Sequence, residues 1–303
     1  LQNELDGGDL IGLEWTAEAN PESFTREVAE AWRRAGVGRV SLGVQSFREE
    51  VLRWMGRLHG PGGAREAVEA ARSVGIHNLS IDLIFGLPDA LERDWRADLE
   101  VAVALDVPHV SLYGLTAEQG TPLGRRVEDG SIRMADEERY RQEYLEAHER
   151  LTRAGYRHYE VFNFARPGSE SRHNQAYWTG VPYLGLGNSA HSFIPPVRRG
   201  NLRDWGEYLK AVTDGRVPWS EEDRPDAAGL RMERLWLELR TDTGMARARL
   251  ETEEARQAVR RWERQGLIHA DPRRVRMTAE GWLVLDSLIL ELDRSLEGAS
   301  SGS

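Results

Sequence analysis

Four polar residues stand where apolar runs end or just beyond: Glu18, Gln45, Arg57 and Asp82. Glu18, Gln45 and Asp82 each close a strand-like run, and Arg57 lies in the loop-helix segment after the second. Side chains at the C-terminal ends of parallel strands point into the mouth of a barrel, where α/β proteins bind small molecules. The chemistry to expect is therefore recognition of a small polar ligand. Any one of these residues, taken alone, also reads as a satisfied polar group at a strand end. The chain has no cysteine, which removes disulfides, thiolate zinc sites, cysteine nucleophiles and cysteine-ligated iron–sulfur clusters from its own repertoire.

The elements that must position these residues follow a repeat. Apolar runs at Leu13 to Ala19, Arg39 to Phe47, Asn78 to Pro88 and His109 to Thr116 recur about every 30 residues, the length of a βα unit. Helical patterns lie between them: Glu22 to Ala35, stopped by Gly36; a stripe of Ala64, Ala67, Val68, Ala71 and Val74, stopped by Gly75; and Trp95, Leu99, Ala102 and Val103 before Pro108. Strand, helix, strand at this period predicts a parallel sheet with right-handed crossovers. Four units fall short of a closed eight-stranded barrel, so the expectation is an incomplete, open one. Downstream, Thr121 to Gly130 reads as a charged loop, Asp136 to Ala154 as a long helix, and Tyr159 to Ala165 as one further strand. Arg166 to Arg203 reads as a long ordered loop with function.

From about Pro225 the pattern is that of a small separate domain. Leu230 to Leu239, Met245 to Leu250 and Glu254 to Gln265 read as helices, Leu267 to Met277 as a hairpin around Asp271-Pro272, and Thr278 to Leu292 as a final helix. Three helices and a hairpin wing resemble a winged-helix domain, read here as a packing or interaction module because Glu254 and Glu263 interrupt the arginines of the third helix. The division expected is 1–160 for the partial barrel, 161–224 for a connecting segment, 225–296 for the winged-helix-like domain and 297–303 for a flexible tail.

Composition bounds the partners. The net charge of −10 argues against a general nucleic-acid binder, since phosphate binding is driven by Lys and Arg. The basic residues are almost all arginine, with Lys210 the single lysine. No apolar run reaches the eighteen residues of a membrane span, and a cytoplasmic protein is the expectation. The chain opens at Leu1 in polar sequence and reads as a fragment or processed form.

Several strings taken together carry a family resemblance. They are Glu18-Ala19-Asn20-Pro21, Gly43-Val44-Gln45-Ser46-Phe47, Gly56-Arg57-Leu58-His59, the run from Ser80 through Asp82 to Pro88, Ser111 to Thr116, and Gln119-Gly120-Thr121-Pro122-Leu123. They resemble the radical S-adenosylmethionine (SAM) enzymes of the coproporphyrinogen oxidase group, from Leu13 to about Leu292. The resemblance implies a partial radical-SAM barrel of the TIM type and assigns SAM contact to Glu18, Gln45, Arg57 and Asp82. That assignment is chemically sound. A carboxylate accepts from the ligand's ammonium or ribose diol, a guanidinium forks onto its carboxylate, and an amide both donates and accepts.

The string His173-Asn174-Gln175-Ala176-Tyr177-Trp178 resembles the HNxxYW motif of the haem-chaperone branch, the HemW-like proteins. The resemblance implies that His173 holds haem iron, imidazole being a good axial ligand. Tyr177 and Trp178 would offer flat apolar surface, and Arg166 or Arg172 a propionate partner. His191 is a second candidate ligand, while the plain alternative makes Tyr177 and Trp178 core and His173 a hydrogen-bonding loop residue. The implied function is a haem chaperone that delivers haem to apoproteins such as respiratory haem proteins. The alternative is an oxygen-independent coproporphyrinogen III oxidase acting in porphyrin biosynthesis. A homodimer is compatible with either. Full-length members carry a [4Fe-4S] cluster on a three-cysteine loop, which this chain lacks.

Overall fold

The computed structural model describes residues 13–297 with the exception of residue 92. The expected tail from 298 onward lies outside the described residues. The chain divides into two compact units between Glu170 and Ser171.

The first unit is built on one six-stranded sheet. Strands β1 (Thr16–Ala19), β2 (Arg39–Gln45), β3 (Asn78–Phe85) and β4 (His109–Gly114) are parallel neighbours in that order. A hairpin, β5 (Arg157–Glu160) and β6 (Asn163–Ala165), completes the sheet, with β6 antiparallel to β4 and β5 at the edge. This is the predicted α/β arrangement with parallel strands. One expectation changes: the single strand at 159–165 is two strands and a turn. The Glu160 carboxylate accepts from Phe162 N at 3.2 Å and Asn163 Nδ2 at 2.6 Å, which folds the chain back on itself.

The strand sequences alternate with period two, so each face of the sheet has its own chemistry. Val40, Leu42 and Val44, then Leu79, Ile81, Leu83 and Phe85, then Val110 and Leu112, are all without exposure. They lie against helices α1 (Arg26–Ala35), α3 (Gly63–Ser73), α4 (Trp95–Ala104) and α6 (Glu137–Arg153), with Phe85 packed against Trp95, Tyr140 and Tyr144. The opposite face carries Arg39, Ser41, Gly43 and Gln45 on β2, Ser80 and Asp82 on β3, and His109, Ser111 and Tyr113 on β4.

Caps decide where the helices begin. Thr25 accepts from Val28 N, so α1 starts at Arg26, and Pro21–Ser23 forms a separate 3-10 turn instead of the expected first helical turn. A short helix α2 (Glu49–Trp54) precedes Arg57. The stretch expected as a loop at 121–130 contains α5 (Pro122–Glu128), with Thr121 as cap and a proline at the first helical position.

In the second unit, the expected long loop holds α7 (Arg172–Trp178) and the hairpin β7 (His191–Ile194) with β8 (Val197–Asn201). Helix α8 (Trp205–Thr213) leads to β9 (Trp219–Asp223), which completes a three-stranded antiparallel sheet ordered β7-β8-β9. The remaining elements are α9 (Ala227–Leu239), β10 (Met245–Ala246), α10 (Glu253–Arg264), β11 (Ile268–Ala270), β12 (Arg274–Met277), α11 (Ala279–Leu283) and α12 (Leu285–Glu297). The stretch 245–250, expected as a helix, is β10 followed by a 3-10 turn, because Met245 pairs with Val275. The expected final helix is broken at Val284, whose φ of −119° is not helical.

Candidate functional site

On the polar face of the first sheet, a row of side chains runs across the strands. Ser41 Oγ donates to Asp82 Oδ1 at 3.1 Å, Ser111 Oγ donates to Asn163 Oδ1 at 2.9 Å, and Asn163 Nδ2 donates to Glu160. Burial, together with the charge of Glu18, pushes the Asp82 carboxyl up to about 6, against Ser41, Arg39 and Ser111, which favour its ionised form. Glu18 and Asp82 are therefore electrostatic neighbours. Glu18 is exposed and Asp82 largely buried. Tyr113 stands among the same carboxylates, and burial with Asp82, Glu18 and Glu160 pushes its phenol up to about 12.

Towards the N-terminal ends of the strands the face closes. His109 bridges Ser80 Oγ at 2.8 Å and Tyr159 Oη at 2.7 Å. Burial and the Arg39 charge push it down to about 3. Arg39 is itself 4% exposed, and its Nε has no hydrogen-bond partner.

At the C-terminal ends of β1 and β2, Arg57 Nη1 donates to Asn20 Oδ1 at 2.5 Å. A Cβ placed on Gly43 would stand 2.9 Å from Gln45 Nε2 and 3.2 Å from Asn20 Oδ1. The glycine is what lets these two amides lie over the strand end. Gln45 has φ +67°, and the β2–β3 register slips between Leu42 and Gln45. The structure thus gathers the four residues into two neighbourhoods of one sheet: Glu18 with Asp82, and Gln45 with Arg57 through Asn20.

The loops that carry these residues are clamped by a buried ionic cluster. Arg93, with no exposed side-chain surface, donates to Ile84 O at 2.5 Å and to Glu143 Oε2 at 3.1 Å, and lies 3.7 Å from Asp98. Asp98 accepts from Ser46 Oγ and Phe47 N, and Glu143 from Gly86 N. The chain exits of β2 and β3 are thereby tied to α4 and α6.

His173 belongs to the second unit. It lies exposed on α7, whose cap Ser171 accepts from Asn174 N at 3.2 Å. Its ring stands edge-on to Tyr177 at 5.1 Å, and Tyr177 in turn meets Tyr183 at 4.6 Å. Trp178 is half-buried, and the Arg240 guanidinium covers one ring face at 3.7 Å. That face of Trp178 is occupied by the guanidinium. His191 is exposed at the start of β7. Arg166 is engaged by Ala154 O, Asp106 Oδ1 and the face of Tyr156. Arg172, exposed beside His173, is the guanidinium of the expected pair that sits on the same helix.

Sequence reading passed over Ser41, Ser111, Asn163 and Glu160. The signal is present: β2 reads Arg-Val-Ser-Leu-Gly-Val-Gln, polar or small at every second place, an alternation hidden within one apolar run.

Comparison with known proteins places the chain in a family. The model of the radical SAM superfamily matches residues 7–102. The haem chaperone HemW of Mycobacterium tuberculosis (strain CDC 1551 / Oshkosh) is 35% identical over 279 residues, covering 92% of this chain and 71% of that protein. The haem chaperone HemW of Bacillus subtilis (strain 168) is 29% identical over 278 residues, covering 89% of this chain and 73% of that protein. The structure of coproporphyrinogen III oxidase (HemN) from Escherichia coli superposes with a TM-score of 0.74 at 21% identity, over 92% of this chain and 69% of that one. That last likeness establishes the fold.

Proposed function

The chain belongs to the HemW family of haem chaperones within the radical SAM superfamily, and from that premise we propose that it binds haem through His173 and passes it to haem-accepting apoproteins, respiratory haem proteins among them. The observation that carries the reading is the display of His173, exposed on a capped helix and braced edge-on by Tyr177. When bound, haem would supply an iron centre that an imidazole can hold. His173 presents that imidazole, Tyr177 fixes its orientation, and Arg172 offers a charge for a propionate. A cytoplasmic site of action and a homodimeric form are parts of the same proposal. No helix among the described residues is long and apolar enough to cross a membrane.

The same proposal gives Glu18, Gln45, Arg57 and Asp82 to SAM. The residues fit the molecule. Glu18 and Asp82 are acceptors for its ammonium and diol, Arg57 is a fork for its carboxylate, and the amide of Gln45 lies over a glycine that leaves room above the strand end. An iron–sulfur cluster does not fit this chain, which has no cysteine to hold one. No SAM-cleaving step is assigned to it.

A hemin titration followed in the Soret band, on the chain and on His173→Ala, tests the haem reading. A saturable, shifted band that is lost in the variant supports it. Equal weak uptake by both proteins would sink it and return the oxidase reading to the front.

A further inference from the structure

Gln45 sits in an unusual piece of backbone. Its φ is +67°, and Ser46 N donates to Val44 O at 2.8 Å across it. That is a γ-turn of the strained form, in a conformation that glycine or asparagine adopts more readily than glutamine. The carbonyl that closes it meets a second group. His59 Nε2 lies 3.2 Å from Val44 O, and His59 Nδ1 lies 2.8 Å from Glu22 Oε2. Both partners are oxygens able to accept from the ring. His59 is buried, and a Cβ on Gly63 would stand 2.8 Å from its Cβ, so the start of α3 is shaped to admit the ring. Burial works to raise the Glu22 carboxyl. Its own backbone amide, His59 and Arg57 outweigh that and hold it below its ordinary value. Glu22 belongs to the 3-10 turn that follows β1.

We infer that His59 and Glu22 are positioning residues: they hold the turn at Val44-Gln45-Ser46 closed and so aim the Gln45 amide at the bound SAM. A strained turn persists where its surroundings over-determine it, and strain of this kind gathers at ligand-holding sites. The turn fixes the backbone from which the Gln45 side chain departs. Its amide comes to rest over Gly43 beside Asn20, the residue that accepts from Arg57. One buried histidine thus links the exit of β1 to the exit of β2. The inference rests on the proposal that Gln45 contacts SAM.

A double-mutant cycle on SAM binding tests it, measured by titration calorimetry on the whole chain with His59→Ala, Gln45→Ala and the pair. His59→Ala and Gln45→Ala are each expected to weaken SAM by about tenfold, and the double variant is expected to bind no more weakly than Gln45→Ala alone. Independent, multiplying losses would overturn the inference, because His59 would then act on something other than Gln45. His59→Gln, which keeps a donor for Val44 O, is expected to recover part of the lost affinity. Hydrogen exchange at the Ser46 amide supplies a readout without ligand. It should quicken in His59→Ala and in Glu22→Gln while β3 and β4 keep their protection. Unchanged Ser46 exchange overturns the inference whatever SAM does. If the parent chain binds no SAM while Ser46 responds, the turn-holding role stands and the SAM assignment falls.

Discussion

The two candidate sites are built on opposite principles. In the first unit the candidate residues stand at or just beyond strand ends, and the exits of β2 and β3 are locked by Arg93, Asp98 and Glu143. In the second, His173 stands on a two-turn helix at the surface, capped by Ser171 and in contact with Tyr177. A site that must hold a small polar ligand in one geometry gains from such preorganisation. A site that must take up a flat, heavy ligand and release it to another protein gains from access. The contrast is a statement about stability as well as function, since binding regions are drawn from the less stable parts of a fold.

The largest expected effect is on the clamp. Arg93→Met leaves the buried Asp98 without its close cation and Glu143 with Arg139 alone, and breaking a buried pair costs roughly 3–5 kcal/mol. Urea melts should show that loss, with hydrogen exchange rising in β2–β4 and not in α9–α12. Hemin binding that falls as steeply as SAM binding would break the comparison.

Acid should separate the units nearly as strongly. His109 and His158 are pushed down to about 3 by burial, below the ordinary histidine value. Their unfolded forms take up protons first, so stability is present above about 6.5 and is lost as pH falls below it. At pH 5 each costs about 2 kcal/mol, roughly 4 together. His173, His191 and His269 in the second unit are exposed. Exchange followed from pH 7 to pH 5 should loosen the first sheet and spare α10–α12.

Asp82→Asn sharpens the comparison by opposing stability to binding. The Asp82 carboxyl is raised to about 6, so its neutral form favours folding. That contribution is full below about 4 and is lost as pH rises through 6. At pH 7.5 the ionised carboxylate costs about 3 kcal/mol. The asparagine variant should therefore melt higher at pH 7.5, match the parent at pH 4, and bind SAM more weakly. A variant less stable than the parent at pH 7.5 would show that Asp82 is structural.

The smallest effect is expected at the second site. Ser171→Ala removes the cap of α7 and costs about 1 kcal/mol, confined to that helix. Hemin affinity should drop modestly, the global melt should hardly move, and SAM binding should not change.

Much of the first unit was legible because strand and helix periods are local. The stops at Gly36 and Gly75 fall where the chain takes positive φ, +101° and +81°. The run at 159–165 misled because its propensity is that of a strand throughout. The turn inside it depends on Glu160 reaching Phe162 and Asn163. The stretch at 245–250 misled because a two-residue strand is held by its partner Val275, far along the chain.

What the sequence determined by itself is the repeat, the polar residues at the strand ends and the motif around His173, because each is carried by spacing within a short window. What only the tertiary structure decided is how those residues are held. The row from Ser41 to Glu160, the clamp around Arg93 and the reach of His59 to both Glu22 and Val44 join residues from separate strands and loops. Such partners are chosen by the geometry of packed elements, and no pattern along the chain encodes which pairs will meet in the folded core.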